Sequence, residues 1–306
     1  MTACALRLLR VDRNVADLDR ARSFYCEALG FSAIGEHADA PPEWTQLPGV
    51  CDAPPRSMRL RLGEQEIELT SFAQSAPYPL DSSAADLWFQ HCAIVVDDMD
   101  AAYARLRRHG DFTAISRDGP QTLPSSSGGV TAFKFRDPDG HPLELIFFPS
   151  GSGDPVWQHA QGKNLTLGMD HSAISVFDAD RSIVFYTALG MSRKARQANR
   201  GAEQEKLDAL ANVEVEVVAL QPAETATPHI ELLAYRTPRG RALANMEICD
   251  IAADRLVLQV QNLPALLDAL SHSTMQRISN GMIGSAGDPR AALLRDPDGH
   301  WLVLVD

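Results

Sequence analysis

The sequence predicts an α+β fold in which one chain of 306 residues contains four βαβββ modules. Two repeated motifs and one recurring apolar pattern support this prediction. The hairpin sequence RDPDGH at Arg136–His141 returns 159 positions later at Arg295–His300. The helix sequence FYCEALGF at Phe24–Phe31 has a counterpart, FYTALGM, at Phe185–Met191. Self-similarity at a nearly fixed spacing indicates duplication, so the chain consists of two related halves of roughly 150 residues.

The first module, residues 5–73, begins with a strand that leads into a helix. Val11–Val15 alternates between apolar and polar residues, which is typical of a half-buried strand. Asp17–Leu29 places its apolar residues on one helical face, with Asp17 suited to the N-cap and Gly30 to the C-terminal stop. Two further strands are predicted at Met58–Leu62 and Glu66–Phe72.

The same order of elements returns three times, in residues 87–149, 166–236 and 253–306. The predicted strands are His91–Val96, Ala132–Arg136, Pro142–Phe148, His171–Val176, Val213–Leu220, His229–Tyr235, Leu256–Val260, Ala291–Arg295 and Trp301–Val305. The predicted helices are Met99–His109, Arg181–Leu189 and a segment through Leu266 and Leu270. The Asp-Pro-Asp-Gly sequence before the last strand of the second and fourth modules favours a tight hairpin turn.

The boundary between the two halves is predicted in a segment that lacks periodic pattern. Residues 1–150 form the N-terminal half, residues 166–306 form the C-terminal half, and residues 151–165 connect them. Ser150–Gly153 is rich in Gly and Ser, a composition typical of flexible linkers.

Composition narrows the class of partner. The chain carries 28 Lys and Arg against 40 Asp and Glu, a net charge of −12, whereas nucleic-acid binding needs clustered positive charge. No apolar run approaches the roughly 20 residues that cross a membrane. The five cysteines are odd in number and form no CxxC pair, which favours reduced thiols. These observations predict a cytoplasmic protein that acts on a small molecule and binds neither nucleic acid nor membrane.

The modules, the two helix sequences and the two hairpins resemble the vicinal oxygen chelate superfamily. That superfamily includes glyoxalase I, extradiol ring-cleaving dioxygenases and bleomycin-resistance proteins. The resemblance implies that modules pair side by side and that their curved sheets enclose a cleft. Four modules would then form two paired-module clefts within one chain, which can be a monomer or a homodimer.

The resemblance also implies metal ligands at the start of the first strand and in the last strand of each module. At these positions, in module order, the sequence has Arg10 and Glu68, His91 and Glu144, His171 and Glu231, and Arg255 and Val303. Imidazole and carboxylate ligands suit Zn, Ni, Co, Mn or Fe. The second and third modules have the full set, so the resemblance predicts one divalent metal ion bound by their His and Glu residues.

Two pairings of the modules are possible. If the second module pairs with the third, His91, Glu144, His171 and Glu231 meet in one site. If consecutive modules pair, each cleft has an incomplete ligand set. We favour the first pairing because it explains why the two middle modules carry the ligands.

The resemblance implies three alternative functions. The first is a metal-dependent lyase or isomerase similar to glyoxalase I, in which Glu144 or Glu231 moves a carbon-bound proton through an enediolate. His229 and Tyr235 share the strand face of Glu231, so we expect them to contact substrate. The second is an extradiol dioxygenase that uses Fe(II), with His229 or Tyr235 as an acid–base helper. The third is a non-enzymatic binding or resistance protein.

Several other charged residues are given structural interpretations. His141 and His300 follow the hairpin glycine, and we expect them to be turn residues. His37, His109, His159 and His272 have no partner in the sequence. Two readings are open for Arg10 and Arg255, which either bind a substrate carboxylate or pair with a nearby acidic residue.

Overall fold

The structure, a computed structural model, describes residues 3–35, 55–159, 164–243, 245–271, 276–277, 279 and 290–306. The first module contains β1 (Cys4–Asn14), helix α1 (Leu18–Ser23) with a π-helical continuation (Phe24–Ala28), β2 (Ser32–Gly35), β3 (Arg56–Leu62) and β4 (Gln65–Ser71). The second contains β5 (Gln90–Val96), α2 (Met99–His109), β6 (Thr113–Ala114), β7 (Gln121–Thr122), a 3₁₀ turn (Ser125–Ser127), β8 (Thr131–Arg136) and β9 (Pro142–Phe147).

Helix α3 (Pro155–His159) lies in the connection between the two halves. The third module contains β10 (Thr166–Ser175), α4 (Ala179–Ala188), β11 (Ser192–Arg200), α5 (Ala202–Asp208), β12 (Glu214–Gln221) and β13 (His229–Thr237). The fourth contains β14 (Arg255–Gln261), α6 (Leu263–Leu270), β15 (Gln276–Arg277), β16 (Ala291–Arg295) and β17 (Trp301–Val305).

The described strands form two mixed sheets, each built from two modules. One sheet has the order β15-β16-β17-β14-β1-β4-β3-β2, and the other has the order β11-β12-β13-β10-β5-β9-β8-β6. The first module therefore pairs with the fourth, and the second with the third, as we favoured from the sequence. In each sheet the first strands of the two modules meet in an antiparallel pair, β1 with β14 and β5 with β10.

The predicted helices α2 and α4 begin directly after a capping aspartate. Asp98 precedes α2 and accepts a hydrogen bond from the backbone N–H of Ala101, and Gly110 ends the helix with a φ of +81°. Asp178 caps α4 in the same way through the N–H of Arg181. A carboxylate at the N-cap satisfies a backbone donor that the helix leaves free, and glycine adopts a positive φ without strain.

Strand alternation divides each sheet into a core face and an open face. Ile94, Leu145 and Leu232 belong to an apolar core that contains residues of both sheets and of α1, α2, α4 and α6. Their sequence neighbours point to the opposite face because successive side chains of a strand alternate. In the sheet of the second and third modules, this opposite face carries the predicted metal ligands.

The sequence did not predict β11 and α5, which extend the third module. Seven of the first eight residues of β11 are exposed, so the strand lacks the apolar alternation on which prediction depends. The N-cap position of α5 is Gly201, which offers no capping side chain.

The hairpin histidines occupy turn positions as expected, but their rings are buried. His141 Nε2 lies 2.9 Å from the carbonyl oxygen of Ile251, and His300 Nε2 lies 2.8 Å from that of Ser175. His141 therefore joins its sheet to the segment that precedes β14, and His300 joins its sheet to the end of β10. His37, His272 and Cys51 lie outside the described residues, and Cys4, Cys26, Cys92 and Cys249 form no disulfide. Within the described part of the chain, no helix has the length and apolarity to cross a membrane.

Candidate metal centre

The central strand pair of the second sheet places two histidines side by side. In the antiparallel register of β5 and β10, His91 lies opposite Ala173 and His171 lies opposite Ala93. The two imidazole rings approach to 5.6 Å between their centroids. Each histidine thus has an alanine as its cross-strand neighbour, and the small side chain leaves space for the ring on the open face.

Two glutamates flank this histidine pair from the neighbouring parallel strands. Glu144 on β9 lies beside Ala93, and Glu231 on β13 lies beside Ala173. The modules therefore contribute equivalent residues, one His and one Glu each, to the same face. This placement follows from the repeated module and from the antiparallel joining of its first strands.

Three of the four predicted ligands converge. One ligand atom each of His91, Glu144 and His171 lies within 4.8 Å of the other two. Glu144 Oε2 is 3.0 Å from His91 Nε2 and 3.7 Å from His171 Nε2. The fourth predicted ligand, Glu231, contacts this group at His171, with its Oε2 3.5 Å from His171 Nε2.

These separations fit a shared cation. Ligand atoms bound at about 2.0–2.2 Å to one ion lie about 3–3.5 Å from each other. His171 Nε2 is buried and has no hydrogen-bond partner among the described residues, although it faces two carboxylates. A buried ring nitrogen without a partner is rare in proteins, and a metal ion would satisfy it. The donor set of imidazoles and carboxylates suits a divalent transition metal.

The electrostatics of the group also favour a cation. Burial alone would lower the pKa of His171, but Glu231, Asp170 and Glu144 together raise that pKa well above its ordinary value. Burial would raise the pKa of Glu144, but the neighbouring His171 and His91 hold that pKa well below its ordinary value. Burial lowers the pKa of His91 despite Glu144, which favours the neutral imidazole that binds metals.

A carboxylate behind His171 fixes the orientation of its ring. Asp170 Oδ2 lies 3.0 Å from His171 Nδ1, and Asp170 Oδ1 accepts a hydrogen bond of 2.6 Å from the indole N–H of Trp157. A register shift between Met169 and His171 interrupts the β10 ladder. Bulges of this kind redirect side chains. This bulge lies where the adjacent residues Asp170 and His171 contact each other through their side chains. Asp170 and Trp157 are not among the residues predicted from the sequence.

The predicted ligands lie on a cavity of about 600 Å³. His91, Glu144, His171 and Glu231 line it, as do the predicted substrate contacts His229 and Tyr235. His229 Nε2 is 3.6 Å from Glu231 Oε1, whereas the Tyr235 hydroxyl donates to Asp208 Oδ2 at 3.0 Å. Ser127 and Gly128, at the end of the 3₁₀ turn between β7 and β8, also line the cavity.

A buried lysine beside the site is not among the residues predicted from the sequence. Lys134 Nζ donates to Asp208 Oδ1 at 2.6 Å, and both side chains are nearly inaccessible. Burial alone would lower the pKa of Lys134, but Asp208 and Glu144 raise it, so the ammonium form is favoured. A signal for this residue was present, because Lys134 stands between Phe133 and Phe135 in the predicted strand Ala132–Arg136.

The corresponding positions of the other sheet have different chemistry. Arg10 pairs with Asp12 at 2.7 Å, and Glu68 pairs with Arg59 at 2.7 Å. Arg255 is buried and donates to the carbonyl oxygens of Ile248 and Ala253. Of the two readings for Arg10, pairing with a nearby acidic residue is the one observed. Val303 packs in an apolar cluster with Val257, Leu293 and other residues.

Comparison with known proteins places this geometry in context. A profile of the Glyoxalase/Bleomycin resistance protein/Dioxygenase superfamily matches residues 7–145 and 168–304. The uncharacterized protein YaeR of Escherichia coli (strain K12) is 33% identical over 126 residues, which are 41% of this chain and 83% of that protein.

Two solved structures resemble nearly the whole chain. Glyoxalase I from Zea mays superimposes with a TM-score of 0.66 and 21% identity over 98% of this chain and 92% of that one. A protein from Bacillus subtilis subsp. subtilis str. 168, assigned provisionally as a dioxygenase, has a TM-score of 0.58 and 14% identity over 99% and 86% of the two chains. At these identities the likeness concerns the fold alone.

Proposed function

Since the chain belongs to the glyoxalase, bleomycin resistance protein and dioxygenase superfamily, we propose that it is a metal-dependent lyase or isomerase with a reaction similar to that of glyoxalase I. Its partner in this proposal is a small molecule with two neighbouring oxygen atoms. The cofactor is one divalent metal ion, for which Zn, Ni, Co, Mn and Fe are all suitable.

One observation carries the proposal. A histidine pair and two glutamates, drawn equally from two modules, lie on the same cavity, and the partnerless His171 Nε2 faces both carboxylates. His91, Glu144 and His171 would hold the ion, because their ligand atoms already converge. When bound, a divalent cation supplies Lewis-acid stabilisation of negative charge on the substrate oxygens.

The two glutamates differ in their surroundings, and this difference assigns their roles. The Glu144 side chain is 7% exposed and lies between His91 and His171. The Glu231 side chain is 21% exposed and borders the cavity beside His229. Glu231 is therefore the better general base, able to remove a carbon-bound proton and return it to the neighbouring carbon through an enediolate of the substrate.

Solvent exchange of a substrate proton tests this assignment. We expect the protein to exchange the carbon-bound protons of hydroxyacetone or of a methylglyoxal hemithioacetal with D₂O, as followed by NMR. In Glu231→Gln the exchange rate should fall by about 10²–10⁴-fold, with the metal retained. In Glu144→Gln the metal itself should be lost in large part.

Glu68→Gln is the matched control, because Glu68 lies beside Asp12 as Glu231 lies beside Ala173. Its exchange rate should equal that of the wild-type protein. Undiminished exchange in Glu231→Gln would refute the role of Glu231, and absence of exchange in the metal-loaded wild-type protein would refute the proposed reaction.

His229 supports a second candidate function, extradiol ring cleavage. This histidine lines the cavity 5.4 Å from the His171 ring, between centroids, and in this function it would exchange a proton with a bound catechol. His91, Glu144 and His171 match the two His and one carboxylate that Fe(II) oxygenases of this kind typically use. The additional Glu231 beside them departs from that set and favours the first function. Oxygen uptake with catechols by the Fe(II)-loaded protein would select this function over the first.

A further inference from the structure

A buried lysine borders the proposed metal centre and has no part in the proton transfer described above. Lys134 on β8 lies directly opposite Glu144 on β9, so the two side chains share the face that lines the cavity. The lysine side chain is only 5% exposed. An ammonium group so far removed from water requires a compensating partner.

Asp208 is that partner, and it accepts only one of the N–H donors of the ammonium group. Lys134 Nζ donates to Asp208 Oδ1 at 2.6 Å, while Gln204 and Tyr235 both donate to Asp208 Oδ2. Among the contacts of the described residues, Asp208 is the one hydrogen-bond acceptor for Lys134 Nζ. A lysine has three N–H donors, so two remain available to a ligand in the cavity.

The position of Lys134 is not repeated on the other side of the cavity. Ala219 on β12 lies opposite Glu231, as Lys134 lies opposite Glu144. If Lys134 served only to offset the negative charge of Glu144, Glu231 would also need a lysine opposite it on the neighbouring strand. Instead, Val215, Val217 and Leu233 join Ala219 in an apolar wall. The cavity therefore has a buried ammonium group beside Glu144 and an apolar wall beside Glu231, with the exposed Lys194 on the next strand, β11.

We propose that Lys134 forms a subsite for a single carboxylate of the substrate. The carboxylate would lie next to the two oxygens held at the metal centre, and the apolar part of the substrate would lie against β12. One ammonium with two unused donors matches one carboxylate, whereas a phosphate dianion calls for more donors and charge. This inference rests on the proposed function, because it takes the metal centre as the place where the two oxygens bind.

The subsite depends on the state of the neighbouring glutamates. Glu144 and Glu231 are both negative and lie near the ammonium group, so they oppose the entry of another anion. Once a divalent cation is bound by Glu144 beside Glu231, its positive charge offsets that of both carboxylates and the opposition falls. We therefore expect the carboxylate of the substrate to bind to the metal-loaded protein and only weakly to the metal-free protein.

Two rigid probes test the subsite by binding, without any turnover. 3,4-Dihydroxybenzoate and 3,4-dihydroxybenzamide have the same ring and the same pair of neighbouring oxygens, and they differ by one negative charge. Titration calorimetry on the zinc-loaded protein should show the benzoate binding about tenfold more tightly, the size of one charge-assisted hydrogen bond. Equal affinities in the wild-type protein would overturn the proposal.

Variants separate a ligand role from a purely structural one. Lys134→Met alone would leave Asp208 as an uncompensated buried charge, so the double variant Lys134→Met/Asp208→Asn is used. We expect it to lose the tenfold preference, while Asp208→Asn alone retains it. Lys194→Met is the matched control, because Lys194 also lines the cavity but is exposed, and it should retain the preference. A preference unchanged in the double variant would overturn the subsite.

Zinc content, measured first on the same samples, keeps the two proposals apart. A double variant that holds zinc like the wild-type protein and has lost the preference supports the subsite. A wild-type protein that holds zinc and shows no preference overturns the subsite alone. A wild-type protein that takes up no zinc, nickel, cobalt, manganese or iron overturns both the proposed function and the subsite.

Discussion

The two histidines of the candidate metal centre differ in the residues that contact the Nδ1 atoms of their rings. His171 Nδ1 faces the carboxylate of Asp170, which in turn accepts from Trp157, whereas His91 Nδ1 is buried without a hydrogen-bond partner among the described residues. A carboxylate on one ring nitrogen fixes the tautomer and orientation of a metal-binding histidine and increases its basicity. We infer that His171 is the better-positioned ligand of the pair.

Asp170→Asn tests this difference. The substitution removes the negative charge behind His171 but keeps an oxygen for Trp157, so metal affinity should fall by about 10–100-fold. The measurement is competition with a chromophoric chelator at fixed pH.

Gln90→Ala is the matched control for Asp170→Asn. Gln90 directly precedes His91 as Asp170 precedes His171, but its side chain contacts Ser172 instead of the histidine. Its metal affinity should stay within about twofold of the wild-type value, because the His91 ring loses no partner. An unchanged affinity in Asp170→Asn would show that the carboxylate does not support the ligand.

Sequence reasoning found the ligand residues but missed the residues that support them. His91, Glu144, His171 and Glu231 could be located because each occupies a repeated position in a module. Between the second and third modules, however, Asp170 and Lys134 are not repeated, since Gln90 and Ala219 stand at the equivalent positions. A repeat makes symmetric features visible in the sequence and leaves asymmetric ones hidden.

At the scale of elements, the two repeated motifs contact each other. Tyr25 of the first helix donates to Asp137 of the RDPDGH hairpin at 2.9 Å, and Tyr186 donates to Asp296 of the second hairpin at 3.1 Å. Each contact joins a helix of one sheet to a hairpin of the other. The repeated helix and hairpin motifs therefore form contacts that hold the two sheets together.

His141 makes the first of these hairpins sensitive to pH. Burial alone would lower its pKa, but the carboxylates of Asp137 and Asp254 raise that pKa above its ordinary value. Its two ring nitrogens face Asp137 and the carbonyl oxygen of Ile251, so the charged imidazolium can donate to both. The stabilisation is complete below the ordinary histidine pKa of about 6.5 and is lost as the pH rises through the higher native value.

His141→Gln should therefore cost more free energy of unfolding at pH 6 than at pH 9. The expected loss at pH 6 is about 1–3 kcal/mol, the size of a hydrogen bond to a charged group. Urea denaturation of both proteins at the two pH values measures it. A loss that is equal or larger at pH 9 would show that the charge of His141 does not stabilise the fold.

Secondary structure was predictable where apolar periodicity and capping residues agreed. Met99–His109 was predicted with the bounds that the structure shows, because Asp98 and Gly110 mark its two ends. β11 and α5 were missed because their sequences are mostly polar and their places are set by contacts with the second module. Ser127 donates to Asn199 on β11, and Ser116 donates to the carbonyl oxygen of Leu207 in α5.

At the scale of the whole molecule, the pairing of modules crosses the duplication. Each half supplies one module to each sheet, so the candidate metal centre joins the end of the first half to the start of the second. The other sheet has Arg10, Arg255 and Val303 in the equivalent positions, with their space taken by ion pairs and apolar packing. In the described part of the chain, the residues grouped as a metal could bind them therefore lie in the sheet of the second and third modules, although the sequence is duplicated.

Since one chain supplies all the ligands, metal binding should not require a second copy. Metal content after dialysis should be the same in samples held at micromolar and at tenfold lower concentration, whether the protein is a monomer or a homodimer. Sedimentation on the same samples gives the oligomeric state. Loss of metal that accompanies dissociation of a dimer would show that the partner chain completes the site.

The central claim is that His91, Glu144 and His171 bind one metal ion per chain. The most direct measurement is the metal content per chain of protein purified without chelator, by plasma mass spectrometry, with His171→Ala and Arg10→Gln alongside. We expect one ion per chain in the wild-type protein and in Arg10→Gln, and almost none in His171→Ala. A wild-type protein that holds no metal and takes up none of the five candidate ions, or that keeps its metal in His171→Ala, would contradict it.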